Sequence, residues 1–230
     1  MNASPYEAIA IDEKSWRIEE NRVRCFLFKG TEKALLVDTG FGSGDLKAFV
    51  EKLTDLPIML VNSHADIDHI GCNNSFGAAY LHPAEFSTYR TRKLDDTDLR
   101  PLWEGDRIDL GGRVFEVVLI SGHTPGSIAL LDHENRILIS GDTVQTTPVF
   151  IFGPNRSVPG IIATLKKLET MFDLYDTVYS SHGAFPIGKE AVSAQREAAE
   201  RLLAGKLEPM DPPMEIPAKM YVYGAASFFL

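Results

Sequence analysis

The chain has 230 residues, of which 44% are hydrophobic and 24% charged, as in a globular protein with a full hydrophobic core. Its formal net charge of -9 disfavours a nucleic-acid or anionic-membrane surface, because such surfaces need clustered Lys and Arg to neutralise phosphate. We therefore expect no nucleic-acid and no membrane partner. Two cysteines, Cys25 and Cys72, and no basic, apolar leader in residues 1–16 predict a cytoplasmic protein.

In the first half of the chain, short apolar or alternating runs predict four β-strands. They cover residues 6–11, 23–28, 34–37 and 58–61. Between the third and fourth strands, apolar residues recur with the spacing of an amphipathic helix. These residues are Leu46, Phe49, Val50 and Leu53. The fourth strand continues directly into the polar segment NSHADIDHIG, residues 62–71.

The second half repeats this plan. It predicts strands at 128–131, 137–140 and 177–179, and a helix that carries Ile161, Ile162, Leu165 and Leu168. LeuLeuValAspThrGly corresponds to LeuIleSerGlyAspThr, and ValAsnSerHis to TyrSerSerHis, which indicates a weak internal duplication. No linker or low-complexity tract divides the halves, so we predict a single α+β domain over residues 1–230.

Polar clusters follow four of the apolar strands, and loops of this kind can converge their side chains on one point. The clusters supply four imidazoles and three carboxylates: His64, Asp66, Asp68, His69, His123, Asp142 and His182. Seven nitrogen and oxygen ligands, with one carboxylate able to bridge, are what two adjacent metal ions with a shared hydroxide require. The sequence therefore predicts a binuclear metal site.

With these motifs in this order, the sequence resembles the metallo-β-lactamase superfamily. The family pattern is an Asp in a first hairpin, then HxHxDH, then a distant His, Asp and His. Asp38, residues 64–69, His123, Asp142 and His182 follow that order, and SerGlyHisThrProGlySer is close to the family's usual third motif. The resemblance covers roughly residues 6–205. It implies a four-layer αββα sandwich built from two pseudo-repeated halves.

The resemblance also implies a role for each residue of the site. His64, Asp66 and His123 would hold one metal, Asp68, His69 and His182 the other, and Asp142 would bridge them. Asp38 would orient a ligand rather than bind metal. Asp66 departs from the family pattern, which has a histidine there. Two divalent ions are therefore expected, with zinc as the usual metal and iron or manganese as alternatives that an additional oxygen ligand favours.

The expected activity is hydrolysis of a thioester, ester or lactone by a metal-bridging hydroxide. Asp68 is the predicted catalytic residue, because it would position the nucleophile and pass its proton to the leaving group. The small-molecule substrate class comes from analogy with members that resemble glyoxalase II. The chain after His182 is too short for the helical glutathione-binding domain of that enzyme. The oligomeric state is left open.

Two other classes of function remain open. A flavodiiron-like oxidoreductase also carries an acidic residue at the position of Asp66, but it would need a separate electron-donor partner. A non-catalytic metal-binding module on the same fold is the other alternative. Outside the proposed ligand set, His82 and His133 are interpreted as structural. Arg156 is interpreted either as an anion contact or as part of a solvated helix face.

Overall fold

The computed structural model describes residues 4–93 and 95–230. The chain divides into two compact units, residues 1–117 and residues 118–230, which are described separately below. The prediction of a single domain stays a prediction. Within the described ranges, no helix is long and apolar enough to cross a membrane.

The first unit contains a seven-stranded sheet whose strands lie side by side in chain order. The strands are β1 (Tyr6–Asp12), β2 (Ser15–Glu20), β3 (Val23–Lys29), β4 (Ala34–Val37), β5 (Ile58–Val61), β6 (Ala78–Leu81) and β7 (Asp98–Pro101). Neighbours from β1 to β4 are antiparallel, and those from β4 to β7 are parallel. Val37 pairs with Val61, so the carboxyl ends of β4 and β5 meet at one edge of the sheet.

Short helices complete the first unit. They are α1 (Leu46–Val50), α2 (Phe86–Arg92) and two 3-10 helices, Asn73–Phe76 and Pro83–Glu85. The predicted helix through Leu53 is correct in place but too long, because after Val50 the chain continues in turns. A hairpin of β8 (Arg107–Asp109) and β9 (Val114–Leu119) follows, and β9 crosses into the second unit.

The second unit has a sheet with the strand order β14-β13-β11-β10 and a small sheet with the order β12-β16-β15. Its strands are β10 (Ile128–Asp132), β11 (Ile137–Gly141), β12 (Val149–Phe150), β13 (Thr177–Ser180), β14 (Ile187–Gly188), β15 (Met220–Tyr223) and β16 (Ala226–Phe229). The helices are α3 (Val158–Thr170) and α4 (Glu190–Leu203). Strands β11 and β13 are parallel, so their carboxyl ends also share an edge.

Helix α3 begins at a side-chain cap. The Ser157 hydroxyl accepts a hydrogen bond from the Gly160 N–H at 3.0 Å, and a proline occupies the first turn. The apolar residues predicted to share one face are buried: Ile161, Ile162, Leu165 and Leu168. They belong to the hydrophobic core of this unit, which also includes residues of α4 and β16.

The predicted strands and both predicted helices are present, and mixed sheets with few helices confirm the α+β class. The two units also share one plan: an antiparallel hairpin, a helix, and a strand parallel to the second hairpin strand. Several elements were not predicted, among them β2, α4 and the C-terminal hairpin β15–β16. In β2 the charged residues Arg17 and Glu19 interrupt the apolar pattern.

Candidate metal centre

The His-Asp loop, residues 64–69, follows β5 and forms a tight turn. The His69 N–H donates to the Asp66 carbonyl at 2.9 Å, which closes the turn. The Thr39 N–H and the Asn62 side-chain amide both donate to the His69 carbonyl, each at 2.8 Å. The loop is therefore held at the carboxyl edge of the sheet by groups that follow the two parallel strands β4 and β5.

One buried carboxylate orients both imidazoles of this loop. Asp38 Oδ2 lies 2.8 Å from His69 Nδ1 and accepts a hydrogen bond from the Ser63 hydroxyl at 2.7 Å. Asp38 Oδ1 accepts the Ser63 N–H at 2.8 Å. The Ser63 hydroxyl in turn lies 3.0 Å from His64 Nδ1. Because each Nδ1 has a fixed neighbour, Nε2 is the atom that both rings present to a ligand.

The two Nε2 atoms face the carboxylates of the same loop. His64 Nε2 lies 3.6 Å from Asp66 Oδ2, and His69 Nε2 lies 3.7 Å from Asp68 Oδ1. The histidines are buried, whereas the Asp66 and Asp68 side chains are 14% and 20% exposed. The first unit thus presents two imidazole–carboxylate pairs, and the two rings lie 4.0 Å apart between centroids.

In the second unit, a single carboxylate faces two imidazoles. Asp142 Oδ2 lies 3.8 Å from His123 Nε2 and 3.3 Å from His182 Nε2. The Nδ1 atom of His123 lies 2.8 Å from the backbone carbonyl of Phe150, in β12. His123 therefore presents Nε2 as His64 and His69 do. Asp142 directly follows β11, and His182 lies two residues after the end of β13, which is parallel to β11.

Glycines allow the close backbone approaches behind these side chains. Gly122 has φ 137°, and a Cβ there would lie 2.4 Å from the backbone nitrogen of Ile161 in α3. The Ser157 N–H donates to the Gly122 carbonyl at 2.9 Å, which places His123 beside the start of α3. Gly141 has φ 53°, a conformation that suits glycine, and it directly precedes Asp142.

Arg156 lies against His123 and is not part of a solvated helix face. Its Nη1 donates to the carbonyls of His123 at 3.0 Å and of Phe150 at 3.3 Å. The same atom is 2.8 Å from His123 Nδ1 and 3.0 Å from His123 Nε2. The interpretation of Arg156 as part of a solvated helix face is therefore wrong, and the anion contact stays a prediction.

The donor set fits divalent metal. Two ligand atoms bound about 2.0–2.2 Å from one tetrahedral ion lie roughly 3.3–3.6 Å apart. The four imidazole-to-carboxylate separations within the units are 3.3–3.8 Å, close to that spacing. Each of the seven predicted ligands belongs to a group of histidine and acidic side chains that could hold a metal ion.

The two remaining histidines have surroundings of a different kind. His82 Nδ1 accepts the Ala84 N–H at 3.3 Å, and its ring meets the edge of Trp103 with centroids 5.3 Å apart. Burial lowers the pKa of His82 below its ordinary value. His133 is exposed in the turn between β10 and β11. The contacts of His82 agree with its structural interpretation, and the structural interpretation of His133 stays a prediction.

Three residues that contribute to the candidate site were missed from the sequence. Ser63 connects Asp38 to His64, and its only sequence signal was a Ser-His pair at the end of a strand in each half. Glu85 directly precedes α2, Arg92 is its last residue, and both contact the His-Asp loop. Neither residue lies in a recognisable motif. Their contacts arise only because the chain returns to the His-Asp loop in the folded protein.

Comparison with known proteins agrees with this geometry. Acyl-coenzyme A thioesterase MBLAC2 of Gallus gallus is 27% identical over 201 residues, which cover 70% of this chain and 73% of that protein. Hydroxyacylglutathione hydrolase GloC of Haemophilus influenzae is 26% identical over 142 residues, which cover 52% of this chain and 66% of that protein. Both similarities are low in identity, but each extends over half of this chain or more.

A structural neighbour and a family model complete the comparison. Metallo-beta-lactamase from Pontibacter korlensis has the same fold, with a TM-score of 0.73, 17% identity, and coverage of 85% of this chain and 99% of that chain. The family model for the Metallo-beta-lactamase superfamily matches residues 19–204. Since that match spans well over half of the chain and includes every predicted ligand, the protein belongs to the metallo-beta-lactamase superfamily.

Proposed function

We propose that this protein is a binuclear metal-dependent hydrolase whose substrates are thioesters. The relatives are named an acyl-coenzyme A thioesterase and a hydroxyacylglutathione hydrolase, which supports the predicted hydrolase and narrows thioester, ester or lactone to thioester. The observation that carries the proposal is the set of imidazoles whose Nε2 atoms face carboxylate oxygens at 3.3–3.8 Å. Such a set of nitrogen and oxygen ligands suits divalent ions, and membership of the superfamily supports this interpretation.

The proposal assigns the seven ligands as the family pattern does. One ion would be held by His64, Asp66 and His123, the other by Asp68, His69 and His182, and Asp142 would be shared. Asp38 holds imidazoles without binding metal, which its contacts with His69 and Ser63 support. When bound, the two ions supply a water that is activated near neutral pH and a Lewis acid for the thioester carbonyl.

The chain itself contributes proton handling through Asp68. Its carboxylate is 20% exposed and lies at the end of the loop turn, so it is reachable by a small molecule in the site. We assign Asp68 to accept the proton of the attacking water. The leaving group of a thioester is a thiolate, whose conjugate acid has a pKa near 8.5. Its departure therefore needs less help from a general acid than the departure of an alkoxide from an ester does.

Thiol release from a panel of substrates tests the proposal. The purified protein is analysed for metal content, then given a short acyl-coenzyme A, an acylglutathione, a lactone and a phosphodiester. We expect thiol release from at least one thioester, loss of that activity with a chelator, and recovery when metal is returned. A protein that holds two metal equivalents but releases no thiol would contradict the thioester assignment. Oxygen reduction with an added electron donor would instead support the oxidoreductase alternative.

The Asp68→Ala variant tests the catalytic assignment. We expect turnover to disappear while the thermal unfolding of the metal-free protein stays close to that of the wild type, because Asp68 is partly exposed and lies in a loop. Full activity in a folded Asp68→Ala protein would rule out this role. Asp109→Ala, at an exposed position at the end of β8, is a matched control that should keep full activity.

A further inference from the structure

Helix α2 contacts the His-Asp loop from both of its ends. Glu85, which directly precedes α2, is fully buried, and its Oε2 accepts the Ala65 N–H at 3.0 Å. Arg92, the last residue of α2, donates from Nη1 to the Ala65 carbonyl at 2.8 Å. Both backbone groups of Ala65, which lies between His64 and Asp66, are therefore held by this one helix.

Arg92 also binds the carboxylate that departs from the family pattern. Its Nη1 donates to Asp66 Oδ1 in a short, charge-assisted hydrogen bond. The other oxygen, Asp66 Oδ2, is the one that faces His64 Nε2 at 3.6 Å. The two oxygens of Asp66 thus have separate neighbours, a guanidinium on one side and an imidazole on the other.

We infer that Arg92 is a positioning residue for Asp66, which fixes Oδ1 so that Oδ2 alone is presented to a metal ion beside His64. The inference rests on the metal site of the proposed function. A carboxylate with no neighbour on Oδ1 can rotate and offer either oxygen or both. An arginine N–H at that oxygen limits this freedom, because Nη1 of Arg92 is itself held by its second hydrogen bond, to the Ala65 carbonyl.

The pair also changes the charge at this position. The charge of Asp66 is offset by Arg92, so together they carry the same formal charge as the neutral histidine of the family pattern. This opposes the expectation that Asp66, as an additional oxygen ligand, favours iron or manganese over zinc. The Arg92 side chain is 34% exposed, so water screens its repulsion of a bound cation.

Zinc affinity measured in a double-mutant cycle tests the inference. The four proteins are the wild type, Arg92→Gln, Asp66→His and the double variant, each stripped of metal and titrated with Zn²⁺ against a chromophoric chelator. With Asp66 present, we expect Arg92→Gln to weaken zinc binding roughly 10–100-fold, as loss of a group that orients a ligand typically does. With Asp66→His, the same change should leave the affinity equal or improve it, because a neutral imidazole needs no guanidinium.

Arg90→Gln is the matched control. Arg90 lies in the same helix, but it donates to the carbonyls of Asp95 and Thr97 and should leave zinc affinity unchanged. If Arg92→Gln weakens zinc binding equally with Asp66 and with Asp66→His, Arg92 only holds the Ala65 backbone and the inference is wrong. Unaltered zinc affinity in Arg92→Gln would overturn it as well. If the four zinc affinities follow the expected cycle but the wild-type protein cleaves no thioester, the proposed function is overturned and this inference stands.

Discussion

Asp38 and Asp142 occupy equivalent places in the two units but do different things. Each follows the second strand of a hairpin, precedes a threonine, and has a parallel neighbouring strand that leads to Ser-His. Asp38 lies on the Nδ1 side of the rings it serves, with His69 Nδ1 at 2.8 Å. Asp142 faces Nε2 atoms, those of His123 and His182.

The backbone shows how one pattern produces two roles. In the first unit the left-handed residue is Asp38 itself, with φ 64°, and the pairing of β4 with β5 stays in register up to Val37. In the second unit it is Gly141, with φ 53°, and the pairing of β11 with β13 shifts between Ile139 and Gly141. A shift of one residue in such a ladder redirects the next side chain. A duplicated motif can therefore place a carboxylate against Nδ1 of an imidazole in one copy and against Nε2 atoms in the other.

The largest effect that the comparison predicts is for Asp142→Ala. Because one oxygen of Asp142 faces two imidazoles, its loss should remove at least one metal equivalent and lower thioester turnover by more than the roughly 100-fold typical of an orienting group. Metal analysis and thiol release measure both effects. Asp211→Ala, an exposed aspartate of the same unit, is the control. Full metal content in Asp142→Ala would show that Asp142 is not a ligand and that the two aspartates do not differ in this way.

A smaller effect is expected for Asp38→Asn. Asparagine tolerates positive φ, so the turn should form, but its amide is a weaker acceptor for His69 Nδ1 than a carboxylate is. Zinc affinity should fall about 10–100-fold while two metal equivalents still bind at saturating metal. Chelator competition measures the first quantity and metal analysis the second. If Asp38→Asn loses a whole metal equivalent at saturation, Asp38 is itself a ligand and the two aspartates are alike.

The smallest effects are expected for histidines outside both clusters. His82→Gln and His133→Gln should leave the metal content unchanged, and loss of one equivalent in either would show that the ligands are wrongly assigned. His82 adds a test of pH dependence. Its pKa is lowered, mainly by burial, so the folded state binds its proton less readily than the unfolded chain does. The stability from neutral His82 is complete above about pH 6.5 and decreases as the pH falls below it.

The thermal unfolding of metal-free protein across that pH range measures this contribution. The midpoint of the wild type should decrease more steeply between about pH 7.5 and about pH 5.5 than that of His82→Gln. Identical slopes would show that His82 is as easily protonated in the folded protein as in the unfolded chain.

The sequence predicted those parts of the molecule that depend on local pattern. Apolar runs located the strands around Asp38, His64 and Asp142, and the ordered motifs alone indicated the superfamily. The sequence also showed that Asp66 replaces the histidine of the family pattern, but it did not show that Arg92 contacts this carboxylate. Arg92 is 26 residues further along the chain and meets Asp66 only because α2 returns to the loop. The roles of Asp38 and Asp142 were separated only by the resemblance, since their local sequences are nearly alike.

The pairing of β12 has a consequence for how the protein is made. The Phe150 carbonyl that faces His123 Nδ1 lies in β12, and β12 pairs in parallel with β16, where Phe150 is opposite Phe229. The Ile151 N–H also donates to the Phe229 carbonyl, at 2.8 Å. During synthesis Phe150 emerges from the ribosome long before Phe229. The support behind His123 is therefore completed only when β16 has been released, so the second unit acquires its final geometry after Phe229 has been translated.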